Sequence, residues 1–208
     1  MLQSRFKEQE NIWKSHPGGQ TVIPKRIHQI WLGPAPLDAF REWMKSWGAL
    51  HPDWEYTLWT ERDLGQWTLT NQMAFDAATN YGEKSDIWRY EILERHGGVY
   101  VDIDFECLRP LDAMHEHDGC SFYAGLSNTN TVEVNNALIG VVPHHPILQA
   151  LIASITVQAR QDHLIAQYAG LPLSAMPRTS TIERTGGMLA TMNLNILNIV
   201  TSAQDLAF

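Results

Sequence analysis

The sequence predicts an α/β fold in which helices flank a mixed central sheet. Three observations predict it. Short apolar runs bounded by glycine and proline alternate with stretches whose apolar residues recur every three or four positions. One such stretch passes through a glycine pair directly into an apolar strand, in SDIWRYEILERHGGVYVDID. The 208 residues are 44% hydrophobic and 18% charged, which excludes disorder, coiled coil and collagen. A chain of this length buries roughly 70% of the surface its unfolded form exposes, so its core needs neither disulfides nor metals.

Residues 1–20 form a polar arm ending at the HPGG turn, and residues 21–208 are expected to make a single domain. In VIPKRIHQIWLG, Pro24 opens a strand, Ile27, Ile30 and Trp31 fill it, and Gly33-Pro34 stops it. The spacing of Leu37, Phe40, Trp43, Met44 and Trp47 predicts an amphipathic helix over 36–50. HPDW is a turn, and Trp54, Tyr56, Leu58 and Trp59 predict a second strand. Trp43, Trp47, Trp54 and Trp59 are expected in the core. Asp63 to Asn80 reads as helix in pieces.

Residues 83–97 make the most informative helix. At about 100° per residue, Trp88, Ile92, Leu93 and His96 share one arc, and Glu91, Glu94 and Arg95 take the other. Asp86 and Arg89 fall with the apolar arc, where charge is expensive unless paired or liganded. Gly97-Gly98 ends this helix. Val99-Tyr100-Val101 is apolar on both faces, as a central covered strand requires. SFYAGL and the strand EVNNALIGV follow. HHPILQALIASITVQARQ is a long helix with His144 and His145 in its first turn, and 188–199 is an apolar, Asn-rich helical segment.

Acidic residues number 23 and basic ones 15, a formal net charge of −8. That charge disfavours nonspecific binding to DNA or to an anionic membrane. Twelve of the 15 basic residues precede position 111, and no basic stripe for a nucleic-acid partner exists. One or two placed arginines still suffice for an anionic ligand. Cys107 and Cys120 are too few for a disulfide scaffold. The N-terminus MLQSRFKEQENIWKS is too polar for a signal peptide, and no 18-residue apolar run exists. The expectation is a cytoplasmic chain, with peripheral association with a membrane left open.

Asp102 and Asp104 are the sharpest feature. Spaced i, i+2, their carboxylates share one face of an extended chain, with α-carbons about 6.6 Å apart. That spacing favours one direct ligand to a cation and one acting through water or a ribose hydroxyl. Acids at the carboxyl end of a buried strand stand where open α/β sheets bind ligands. Carboxylates suit a hard divalent cation, and that cation suits a diphosphate. The bland alternative is a strand running out into solvent. Arg89 can donate to a phosphate or pair with Asp86 on its own helix.

Four segments in order carry a family resemblance: IPKRIHQIWLG, WEYTLW, SDIWRYEILERHGGVYVDID and NNALIGVVPHHPIL. Together they resemble the DXD-containing sugar-binding region of glycosyltransferases, over residues 22–150. That group includes initiating α-mannosyltransferases, bacterial capsular and lipopolysaccharide sugar transferases, and the catalytic domains of large clostridial glucosylating toxins. The resemblance implies a compact or truncated GT-A-like fold and a UDP-sugar or GDP-sugar donor. It implies Mn²⁺ or Mg²⁺, retention of configuration, and a glycan, lipid-linked or protein acceptor. It places Trp31 against the nucleotide base, with Gln29 and Ile30 giving backbone contacts. Asp86, Arg89 and Tyr90 of the SDxxRY string face sugar and phosphate. Asp102 contacts ribose and metal, and Asp104 ligates the metal; Asp86, Arg89, Asp102 and Asp104 form the catalytic set.

Other readings are weaker. Asn135 and Asn136 either bond a donor hydroxyl or cap backbone groups. TGGMLAT at 185–191 resembles the family's TGP..LT segment, and the closing segment expected after it is missing before Phe208. A partner supplying that element is one expectation; a noncatalytic nucleotide-sugar or glycan-binding module is the alternative function. Asp205 is a remote candidate for approaching the metal, and Cys107, His115, His117 and Cys120 as a zinc set fit no standard framework. A phosphohydrolase with Asp102 as nucleophile lacks its DxDxT threonine, because Phe105 and Glu106 follow Asp104.

Overall fold

The computed structural model of the chain describes residues 23–115, 120–126, 134–172, 181–186 and 189. The arm at 1–20, His117, most of 188–199 and Asp205 lie outside the described residues. Five strands form one mixed sheet: β1 Arg26–Ile30, β2 Glu55–Trp59, β3 Gly98–Val101, β4 Phe122–Leu126 and β5 Val134–Val141. Their order is β2-β1-β3-β5-β4. β1 runs parallel to β2 and β3, while β5 is antiparallel to β3 and to β4. β3 is central and buried throughout, as its two-sided apolarity requires.

The helices are α1 Asp38–Leu50, α2 Glu61–Leu64, α3 Gln72–Ala77, α4 Tyr81–His96, α5 Asp112–His115, α6 Pro146–Ala169 and α7 Thr181–Arg184. The pleat divides the core. Val99 and Val101 of β3 join Ile27, Trp47 and Trp54 on one face. Tyr100 joins Trp88, Leu93, Leu148 and Leu151 on the other, beneath α4 and α6.

The α4–β3 unit depends on its glycines. Gly97 and Gly98 have φ of 59° and 97°. A Cβ on Gly98 would stand 2.8 Å from the Arg26 carbonyl oxygen. Only glycine makes this reversal without strain. At the other end, the Asn80 side chain accepts from the Glu83 N–H and caps α4. His145 caps α6 in the same way, with Pro146 following.

Two expectations from periodicity need correction. Glu91 is buried, not solvated, because α4 is covered on both sides; its carboxylate accepts the N–H groups of Thr70 and Asn71, each at 2.9 Å. Along α1 only Trp47 is fully buried, while Phe40, Trp43 and Met44 are half-buried. Of the four tryptophans expected in the core, Trp47 and Trp54 are buried and Trp43 and Trp59 are partly covered.

Candidate functional site

The parallel strands β1 and β3 end side by side, and a cleft of about 330 Å³ opens at their carboxyl ends. Ile30 lines it from the end of β1 and Trp31 from the residue after, and Asp102 and Asp104 from the segment after β3. Asp86 and Arg89 of α4 close another wall, and Phe40, Tyr81 and Thr181 complete the rim. A cleft beyond strand carboxyl ends is where open α/β sheets place ligands.

The strand does not continue through the aspartates. β3 stops at Val101, and the Phe105 N–H returns to the Asp102 carbonyl at 3.2 Å, so Asp102–Phe105 is a turn. The extended spacing anticipated for the two acids therefore does not apply. The turn is held from outside: Trp47 Nε1 donates to the Phe105 carbonyl at 2.7 Å, and Gln29 Nε2 donates to the Asp102 carbonyl at 3.2 Å. Asp104 is exposed at the cleft, and the Asp102 side chain is 31% exposed.

Arg89 joins the two elements. Its Nη2 lies 2.8 Å from Asp86 Oδ1 and 3.1 Å from Asp102 Oδ1. Its Nη1 donates to the Asn136 carbonyl at 2.7 Å, and the guanidinium lies over the Tyr100 ring at 4.3 Å. Tyr100 Oη donates to Asp102 Oδ1 at 2.7 Å. Burial opposes the Arg89 charge, but Asp102, Tyr100 and Asp86 outweigh it and hold the group protonated.

Asp86 accepts hydrogen bonds from two side chains and pairs with a third. Asn136 Nδ2 and Arg89 reach Oδ1, and Thr185 Oγ1 reaches Oδ2 at 2.9 Å. Burial pushes this carboxyl above its ordinary value, against the pull of Arg89 and the bonds from Thr185 and Asn136. Burial and then the neighbouring Asp102 charge push Asp104 up as well.

The remaining sequence-predicted residues lie behind the cleft wall. Gln29 is fully buried and bridges Tyr56 Oη and the Asp102 carbonyl. Tyr90 is fully buried, donates to the Thr185 carbonyl at 2.6 Å and accepts from Asn136. Asn135 Oδ1 accepts the Ala137 N–H at 2.8 Å. Asn136 bonds Asp86 and Tyr90 from β5. Sequence reasoning missed Tyr100 and Thr185. Tyr100 precedes Asp102 by two, so strand periodicity could have placed both on one face; Thr185 is 99 positions from Asp86, and no local signal links them.

The donor set suits a hard divalent cation. Asp102 Oδ2 has no bond among the described residues, and Asp104 is a second, exposed carboxylate with a raised proton affinity. Among the described residues no three His, Cys, Asp or Glu side chains group as a metal site. Two carboxylates, with further oxygens from a phosphate and water, are the usual arrangement for Mg²⁺.

Residues 38–120 match the family model described as a glycosyltransferase sugar-binding region containing the DXD motif. Inositol phosphoceramide mannosyltransferase 2 of Schizosaccharomyces pombe is 32% identical over 166 residues, covering 76% of this chain and 45% of that protein. Mannosyl phosphorylinositol ceramide synthase SUR1 of Saccharomyces cerevisiae is 32% identical over 151 residues, covering 71% and 38%. The chain thus spans less than half the length of these curated relatives. PaToxG glycosyltransferase shares the fold with a TM-score of 0.62 at 16% identity, covering 97% of this chain and 80% of that one. The catalytic domain of alpha-toxin from Clostridium novyi does so with a TM-score of 0.59 at 12% identity, covering 91% and 75%.

Proposed function

Because the chain carries a DXD-containing glycosyltransferase domain related to fungal mannosyltransferases and toxin glycosyltransferase domains, we propose that it transfers a sugar from a nucleotide-diphosphate donor to an acceptor hydroxyl. The acceptor oxygen forms a bond to the anomeric carbon, the bond from that carbon to the phosphate oxygen breaks, and the acceptor proton is lost. The observation that carries this reading is one cleft lined by Trp31, Asp86, Arg89, Asp102 and Asp104. Residues 21–208 act as one such domain.

Trp31 offers a partly exposed ring at the mouth, suited to a nucleotide base, and the backbone of Gln29 and Ile30 lies beside it. Arg89 directs positive charge towards the phosphates, and Asp86 accepts from sugar hydroxyls at the same wall. Tyr90 and Asn136 act through Asp86, and Asn135 holds the β5 backbone. Asp102 and Asp104 would hold Mn²⁺ or Mg²⁺, which when bound offsets charge developing on the departing diphosphate. Arg89 and Asn136 occupy Asp86 Oδ1 and Thr185 takes one position on Oδ2, which leaves Oδ2 to accept from a sugar hydroxyl. Retention, on this reading, is the expected outcome at the anomeric carbon.

Relatives named as inositol phosphoceramide mannosyltransferases make a mannosyl donor and inositol phosphoceramide the first pair to test. No described helix is long and apolar enough to cross a membrane. The direct test is calorimetric titration with UDP- and GDP-sugars, with Mn²⁺ and then with chelator. One nucleotide sugar binding only with metal supports the reading. No binding, or binding unchanged by chelation and by Asp104→Asn, refutes it.

A further inference from the structure

One face of α4 carries Glu83, Asp86 and Tyr90, with the cap Asn80 one turn earlier. Every one of these reaches the short segment 181–185. Asn80 Nδ2 donates to Thr181 Oγ1 at 3.3 Å, Arg184 Nε donates to Glu83 Oε1 at 3.1 Å, Thr185 Oγ1 donates to Asp86 Oδ2, and Tyr90 Oη donates to the Thr185 carbonyl. Arg184 also bonds Asp162 of α6 at 2.8 Å, and both Arg184 and Thr185 are buried. The single proton of the Thr185 hydroxyl is shared between Asp86 Oδ2 at 2.9 Å and the Thr181 carbonyl at 3.2 Å.

Resting on the donor-site reading, we infer that residues 181–185 are a clamp that positions the Asp86 carboxylate, with Thr185 as its positioning residue. Arg89 and Asn136 both bind Asp86 through Oδ1. Thr185 is the side chain that fixes Oδ2, and with it the rotation of the carboxylate plane. A carboxylate free to rotate loses its aim at a sugar hydroxyl, although the charge remains. Arg184 ties the clamp to α4 and α6 at once, so its register on Asp86 is set by two helices.

The test compares Thr185→Val, Thr185→Ala and Thr185→Ser with wild type. The ligands are the nucleotide sugar that wild type binds and its bare nucleoside diphosphate. Losing one hydrogen bond to a charged acceptor predicts about a tenfold loss of nucleotide-sugar affinity in the valine and alanine variants. Nucleoside diphosphate affinity stays as in wild type, KM rises in step, and serine restores both. Equal losses for both ligands indicate general support of the fold and overturn the inference, as does an unchanged sugar affinity. A crystal structure of the valine or alanine variant decides the positioning without any donor. A rotated Asp86 carboxylate supports the clamp, and an unmoved one overturns it, even where wild type binds no nucleotide sugar and the donor reading itself fails.

Discussion

Arg89 is held by Asp86, Asp102, the Asn136 carbonyl and the Tyr100 ring, and every one of those contacts needs its charge or its plane. Arg89→Met leaves Asp86 buried with its main counter-charge gone. Removing one partner of a buried pair costs about 3–5 kcal/mol, and urea unfolding of the variant reads that loss. Arg89→Lys keeps the charge but not the fork, so only part of the stability returns. The Asp86–Arg89 pair was legible because both charges fell on an apolar arc three residues apart. Thr185 was not legible, and Asn136 was singled out without its partner: both meet Asp86 only through the packing of β5 and of the residue after α7 against α4, which no local spacing encodes.

Helix α4 is the element that converts sequence into site. Its glycine end and the strand that follows were read from residue type, whereas the Asn80 cap was not, and the helix expected from 83 starts at Tyr81. The burial of Glu91 was not, because the periodicity of one helix does not reveal that the backbone at Thr70 and Asn71 lies against its second face. Burial raises the proton affinity of this carboxyl, and the two backbone bonds oppose that rise. Glu91→Ala strands both N–H groups and is expected to cost about 2–4 kcal/mol in chemical denaturation. Glu91→Gln keeps one acceptor and loses less. Helix α1 shows the reverse error. Its apolar spacing predicted burial, yet Phe40 lines the cleft, so part of that face serves the site rather than the core.

At the scale of the whole molecule, stability is tied to pH through His28 in the sheet. Its Nε2–H donates to the Gly97 carbonyl at 2.9 Å, and its Nδ1 accepts from Trp59 Nε1 at 3.2 Å, so the neutral ring is fully bonded. Burial, despite the Gly97 bond, lowers its pKa from 6.5 to about 4. The unfolded chain therefore binds the proton more readily between those values. The stabilisation is complete above pH 6.5, shrinks as pH falls, and is gone near pH 4, a change of about 3 kcal/mol by linkage. Urea midpoints from pH 7.5 down to 4.5 should fall, and His28→Gln should flatten that slope. The sheet order that brings β1 and β3 together also brings Trp31, Asp102 and Asp104 to one cleft, and catalysis at that cleft is the central claim. The most direct measurement is nucleoside diphosphate release from a panel of UDP- and GDP-sugars, with inositol phosphoceramide as candidate acceptor, with Mn²⁺ present and then chelated, in wild type and Asp104→Asn. The account predicts release from one donor that is lost on chelation and falls at least about a hundredfold in Asp104→Asn, the scale of losing a main electrostatic stabiliser. Release that survives both chelation and Asp104→Asn, or none from any donor that binds, contradicts it.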